Sequence, residues 1–184
     1  RMSENFKIIS VFWDKIASLL LRAPETKGYF LPIDFTGDKQ ALITNLETRK
    51  KSREHLSAGG SVIIFPSGTV STTAKFYEKT KMAFDPEWKK FTSRLIKQTD
   101  PNIVPIYFYG CNSIKFHLAS HLGDMFRASL LFHEVKRRIG TEFSFTVGEP
   151  FRYSELNLDM SNQELADYLR TVSYTHLRAH ETQR

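Results

Sequence analysis

Gly59-Gly60-Ser61-Val62-Ile63-Ile64-Phe65-Pro66-Ser67-Gly68-Thr69-Val70-Ser71-Thr72-Thr73 is the stretch whose reading decides the fold. A diglycine ends the helix before it, because glycine enters the left-handed cap conformation without steric cost. Ser61 to Phe65 is an apolar run of the length of one buried strand. Pro66-Ser67-Gly68 breaks that strand into a turn, and hydroxyl residues crowd the segment from Thr69 to Thr73. In an open α/β sheet, ligands bind at the carboxyl ends of strands. A glycine turn with free backbone amides and nearby hydroxyls suits an anionic or polyhydroxyl ligand.

Outward from this turn, strands and helices alternate. Upstream, the pattern predicts a strand over residues 6–10 and a helix over 11–22, with Phe12, Ile16, Leu19 and Leu20 on one side. A second strand covers 29–34, with Pro32 at its end or on an edge. A long polar helix spans 39–58, with Leu42, Leu46 and Leu56 as a narrow apolar side. Downstream comes a loop over 66–85, long enough to be functional or disordered. A helix over 86–99 has Pro86 in its first turn. A strand over 103–109 leads to a helix over 114–138, broken near Gly123. A strand over 142–147 precedes a last helix, opened by Ser161 with Glu164 as a capping box. The expected fold class is α/β, with a largely parallel sheet flanked by helices.

The chain has 184 residues, 41% of them hydrophobic and 25% charged, the balance of a folded domain with one core. No apolar run approaches the roughly 18 residues needed to span a bilayer. The net charge of +6 fits a membrane surface, an anionic substrate or nucleic acid. Its densest runs, Arg49-Lys50-Lys51-Ser52-Arg53 and Lys136-Arg137-Arg138, have the ordinary reading of solvated helix faces. The single Cys111 excludes an internal disulfide framework.

Familiar catalytic patterns fail residue by residue. Ser67 has Phe65 and Thr69 where a nucleophile elbow needs glycines. Gly68 is followed by Thr69, not by the lysine of a phosphate-binding loop. His117 and His121 lie one helical turn apart, without the intervening glutamate of a zinc protease; ordinary polar or partly buried histidines are expected, and no metal site. His133, in an apolar stretch, reads as a core histidine, and His55 as a structural residue near a helix C-terminus. Asp34, Asp85, Asp124 and Glu149 lie in or near loops, and nothing pairs them.

Phe65-Pro66-Ser67-Gly68-Thr69-Val70-Ser71 resembles the third signature of the glycerolipid (lysophosphatidic-acid) acyltransferase superfamily, commonly Phe-Pro-Glu-Gly-Thr-Arg-Ser. Leu31-Pro32-Ile33-Asp34 resembles the second signature, and Ile103-Val104-Pro105-Ile106 the fourth, in the right order. The resemblance runs from about Phe6 to Phe151. It is nearest a bacterial lysophospholipid branch with Asp-Pro-Glu-Trp downstream, here Asp85 to Trp88. It implies acyl transfer from an acyl thioester, acyl-CoA or acyl carrier protein, to a lysolipid hydroxyl in membrane lipid synthesis. It implies no metal or other cofactor and no nucleic-acid partner. It implies acceptor contacts at Asp34, Pro66, Ser67, Gly68, Thr69 and Ser71, and work at the cytoplasmic face of a bacterial inner membrane, peripheral or through an N-terminal anchor.

The family's His-x-x-x-x-Asp signature is missing, so no catalytic residue is assigned within the chain. The expectation is a domain over 1–172 incomplete at its N-terminus and inactive as it stands, with a non-native tail over 173–184 resembling translated adapter sequence. The family's two phosphate-holding arginines are replaced by Phe35 and Val70. Either Lys75, Lys79 or Lys81 supplies the anion contact, or the acceptor is not a simple glycerol phosphate. The alternative is a non-catalytic lipid- or anion-binding domain of the same fold.

Overall fold

In the computed structural model the described residues are 6–10, 24, 28–34, 37–72, 83–122 and 124–181. In chain order the elements are β1 (Phe6–Ser10), β2 (Phe30–Pro32), α1 (Lys39–Ser57), β3 (Ser61–Ile64), α2 (Lys90–Thr99), β4 (Ile106–Phe108), α3 (Ile114–Leu122), α4 (Asp124–Arg138), β5 (Phe145–Val147), a 3-10 turn (Tyr153–Leu156) and α5 (Asn162–Glu181). The helix expected over 11–22 lies outside the described residues. Two units are formed, each from three segments of chain. The first takes Arg1–Thr69, Glu87–Val104 and Pro150–Thr171; the second takes Val70–Pro86, Pro105–Glu149 and Val172–Arg184.

In the first unit β1, β2 and β3 form a parallel sheet in the order β2-β1-β3. Ile9 is level with Leu31 on one side and Ile64 on the other. Leu31 and Ile33 point to one face and pack with Leu95 of α2, joined by Leu56, Val62, Ile64 and Phe91. The opposite side of α2 brings Ile96, with Trp88, against Leu165, Ala166 and Leu169 of α5. Thus α2 is sandwiched between the sheet and α5. The strand Ser61–Ile64 is not buried on both faces: Ile63 and Phe65 remain 37% and 46% exposed. Its side chains alternate between core and solvent, so an apolar run here marks a one-sided strand.

α1 docks in an unexpected way. Leu42 and Leu46 are 61% and 46% exposed, while Ala41, Thr48 and Ser52 are buried. Hydrogen bonds hold this face. Asn45 accepts from the Asp34 N–H at 2.8 Å and donates to the Asp34 carbonyl at 2.6 Å. Thr48 donates to the Pro32 carbonyl at 2.5 Å, and Ser52 to the Thr48 carbonyl at 2.6 Å. Asp38 caps the helix through the Ala41 N–H. At the other end Gly59, at φ 81°, closes a Schellman turn. Its N–H donates to Leu56, and that of Gly60 to His55.

α2 begins at Lys90, four residues later than expected, because the Lys89 N–H donates to the Pro66 carbonyl at 3.0 Å. That bond and the extended backbone of Lys89 keep residues 86–89 out of the helix. Its C-cap is Asp100 at φ 40°, whose carboxylate accepts from the Ser154 N–H and hydroxyl. These bonds lower the Asp100 pKa. The Ser161–Glu164 capping box forms: Ser161 Oγ accepts from the Glu164 N–H at 3.2 Å, and Glu164 accepts from the Ser161 N–H at 2.6 Å.

In the second unit β4 and β5 pair antiparallel, with Ile106 opposite Val147 and Phe108 opposite Phe145. Phe108, Phe143 and Phe145 cluster on one exposed face. Tyr107 and Thr146 occupy the other face; Tyr107 meets Tyr109 and Tyr174 edge-on. The helix expected over 114–138 with a break near Gly123 is divided there, with α3 ending at Leu122 and α4 beginning at Asp124. Glu134 of α4 accepts from the Ser113 N–H and hydroxyl, and Ser113 Oγ accepts from the Phe116 N–H to cap α3.

Candidate functional site

Because β1, β2 and β3 are parallel, their carboxyl ends share one edge. The order β2-β1-β3 places a topological switch at β1: the chain leaves it to one side, then returns to the other. Such a crevice is the preferred ligand position of an open α/β sheet. Asp34 follows β2 and Pro66-Ser67-Gly68 follows β3, flanking the end of β1. Neighbouring strands lie about 4.8 Å apart, so the two segments stand roughly 10 Å from each other.

Each segment is fixed by its backbone. The Asn45 side chain grips both polar groups of the Asp34 main chain. Phe65 to Gly68 form a turn closed by the Gly68 N–H on the Phe65 carbonyl at 3.3 Å. Proline at its second position and glycine at its fourth fit a type I turn. Ser67 is only 6% exposed, and its hydroxyl donates to the Thr69 carbonyl at 2.8 Å. Its proton therefore locks the turn. Gly68 has φ 74°, a conformation that favours glycine.

Ser71 belongs to the second unit, where its hydroxyl donates to Asp85. Thr72 and Phe84 pair backbone to backbone at 3.2 and 3.0 Å, closing the segment between them. Lys75, Lys79 and Lys81 lie outside the described residues. The fourth-signature stretch is divided: Ile103 pairs with Phe151 in the first unit, and Ile106 opens β4 in the second.

A feature that the sequence reading missed lies in the first unit. A cavity of about 420 Å³ sits beside the carboxyl end of β2, where Ile33 forms part of its wall. Leu42, Leu46 and Arg49 come from α1, and Phe91 and Arg94 from α2. Leu42 and Leu46 were read with Leu56 as the apolar side of the helix, and Arg49 as part of a solvated face, so their meeting at one groove was not foreseen.

Among the histidines, His117 is buried at 7% exposure, and neither ring nitrogen has a hydrogen-bond partner among the described residues. Burial lowers its pKa, the electrostatic influence of the Asn112 backbone and Glu134 partly offsets this, and His121 adds to the lowering. Glu134 is buried too; desolvation raises its pKa, but bonds from Ser113 and the Arg137 guanidinium at 2.9 Å leave it lowered overall. His133 is exposed and is not a core histidine. No group of three or more metal-ligating side chains occurs among the described residues. No described helix is long and apolar enough to cross a membrane.

No family model matches the chain. Among curated proteins it is similar to a lyso-glycine lipid O-acyltransferase of Phocaeicola vulgatus, with 25% identity over 151 residues. The match takes in 78% of this chain, which spans about half (50%) of the length of that relative. The likeness supports a relationship to acyltransferases at the general level.

Proposed function

We propose that this chain is part of a lysolipid O-acyltransferase, which moves an acyl group from an acyl thioester to the hydroxyl of a single-chain lipid. The observation that carries the reading is the likeness over 151 residues to an enzyme named for that reaction. The shared carboxyl edge of Asp34 and the Phe65–Gly68 turn supports it, since that is where a doubly connected parallel sheet receives ligands. In this reading the acceptor lies along that edge, the rigid turn presents backbone to it, and acyl-CoA or acyl carrier protein delivers the acyl group. The lipid substrate puts the work at a membrane surface, the cytoplasmic face of a bacterial inner membrane.

Chemistry requires a general base on the acceptor hydroxyl, an imidazole held by a carboxylate being the usual solution. No histidine up to residue 172 has an aspartate five positions on. This reading therefore requires a His-x-x-x-x-Asp pair that residues 1–172 do not contain. The test uses the full reading frame, labelled acyl-CoA or acyl carrier protein, and a panel of lysolipids. Labelled diacyl product is expected, lost when a histidine of an upstream His-x-x-x-x-Asp is changed to alanine. A full frame without that pair, which binds lysolipid and transfers nothing, would instead establish the non-catalytic lipid-binding reading.

A further inference from the structure

The cavity between α1 and α2 has an unusual lining. Leu42 and Leu46 lie a turn apart on α1 and remain exposed, because the helix docks by its polar face. Phe91 faces them from α2. Around this apolar wall stand four cations, Arg49, Lys89, Lys90 and Arg94, against one carboxylate, Glu87. Neither arginine is in an ion pair among the described residues. The charges of Arg49, Lys90 and Arg94 at this rim repel each other, and an anion relieves that repulsion. Beside an apolar wall the attraction is less screened than in open water. Guanidinium groups, moreover, match the paired oxygens of a carboxylate or phosphate.

We propose that this cavity binds the oxyanion head and adjoining methylenes of a single-chain amphiphile, with Arg49 and Arg94 on the head and Leu42, Leu46 and Phe91 along the chain. The groove measures about 420 Å³ and is open to solvent along Leu42 and Leu46, so it takes a head group and the first methylenes and does not enclose a whole ligand. Under the acyltransferase reading, on which this assignment rests, the acceptor class is an anionic lysolipid. Ile33 joins the wall to Asp34, and the Lys89 N–H joins the rim to the Pro66 carbonyl. The cavity is thus tied to both segments of the carboxyl edge.

The chain has two tryptophans, and Trp88 is one of the cavity's lining residues. In a Trp13→Phe background its emission reports occupancy. N-palmitoylglycine, lysophosphatidate and neutral monoacylglycerol are titrated in turn, each below its micellar concentration. The two anions are expected to bind at least about tenfold tighter than the neutral lipid. Whichever anion binds tighter identifies the head as carboxylate or phosphate. Arg49→Ala with Arg94→Ala should remove that preference and leave monoacylglycerol binding unchanged, while Arg53→Ala, outside the cavity, changes nothing. Raising salt from about 0.05 to about 0.5 M should weaken only the anions; this arm decides the matter if the double variant fails to fold. Equal affinity for neutral and anionic lipids, or binding by the folded double variant as tight as the parent, overturns the proposal. The readout needs no acyl transfer, so transfer by the full frame without this binding would sink the cavity assignment alone.

Discussion

Two adjacent glycines do different work. Gly59 is needed for its backbone: at φ 81° a side chain is strained wherever it points. Gly59→Ala should cost about 1 kcal/mol, read as a lower denaturation midpoint with unchanged slope. Gly60 is needed for its emptiness. A Cβ there would stand 2.3–2.6 Å from the His55 imidazole. Because the clash is with the far end of a side chain that can turn aside, Gly60→Ala should cost less than Gly59→Ala, and a double-mutant cycle with His55→Ala measures the small coupling. The helix stop at residues 59–60 was legible in the sequence because glycine pairs carry a local backbone meaning. The ring over Gly60 was not, since nothing local fixes the rotamer of His55.

At the scale of the element, α1 shows where periodicity misleads. Of its leucines Leu56 does pack on the core, but Leu42 and Leu46 face outward, and Asn45, Thr48 and Ser52 carry the docking there through bonds to Asp34, to β2 and to the helix itself. Hydrogen bonds to backbone leave no apolar trace in a sequence, so the inward face was invisible. Asn45→Ala strands two main-chain groups of Asp34 and should cost about 1–3 kcal/mol in chemical denaturation. Leu42→Ser with Leu46→Ser should stay within about 1 kcal/mol of the parent, because those side chains already face solvent. Where a signal is local the reading held: the Ser161–Glu164 box forms as its spacing required. The late start of α2 had no local cause, being set by a bond from Lys89 to Pro66, well apart in sequence.

At the scale of the whole molecule, two buried titratable groups among the described residues, His117 and Glu134, contribute to the response to acid. The folded pKa of His117 lies below its ordinary 6.5, so the unfolded chain binds the proton first. Its contribution is complete above about pH 6.5 and is lost as the pH falls through and below that value. Glu134, also lowered, loses its contribution further into acid, below its ordinary 4.5. The melting temperature should fall between about pH 7.5 and pH 5.5, and His117→Leu should flatten that slope. Exposed apolar surface is the other global property. Phe108→Ser with Phe145→Ser should lower binding of the dye ANS, with the melting temperature moving by no more than about 2 °C. The aromatic strand was legible in sequence; its solvent-facing side was not, because alternation does not say which side is covered.

The threading of the chain through its two units has a consequence for timing. Trp88 and Ile96 find their partners in Leu165, Ala166 and Leu169. The side of α2 that faces away from the sheet therefore stays uncovered on the ribosome until residues 165–169 have been made. Refolding should keep the same order, slowed by closing these distant contacts rather than by forming any single helix.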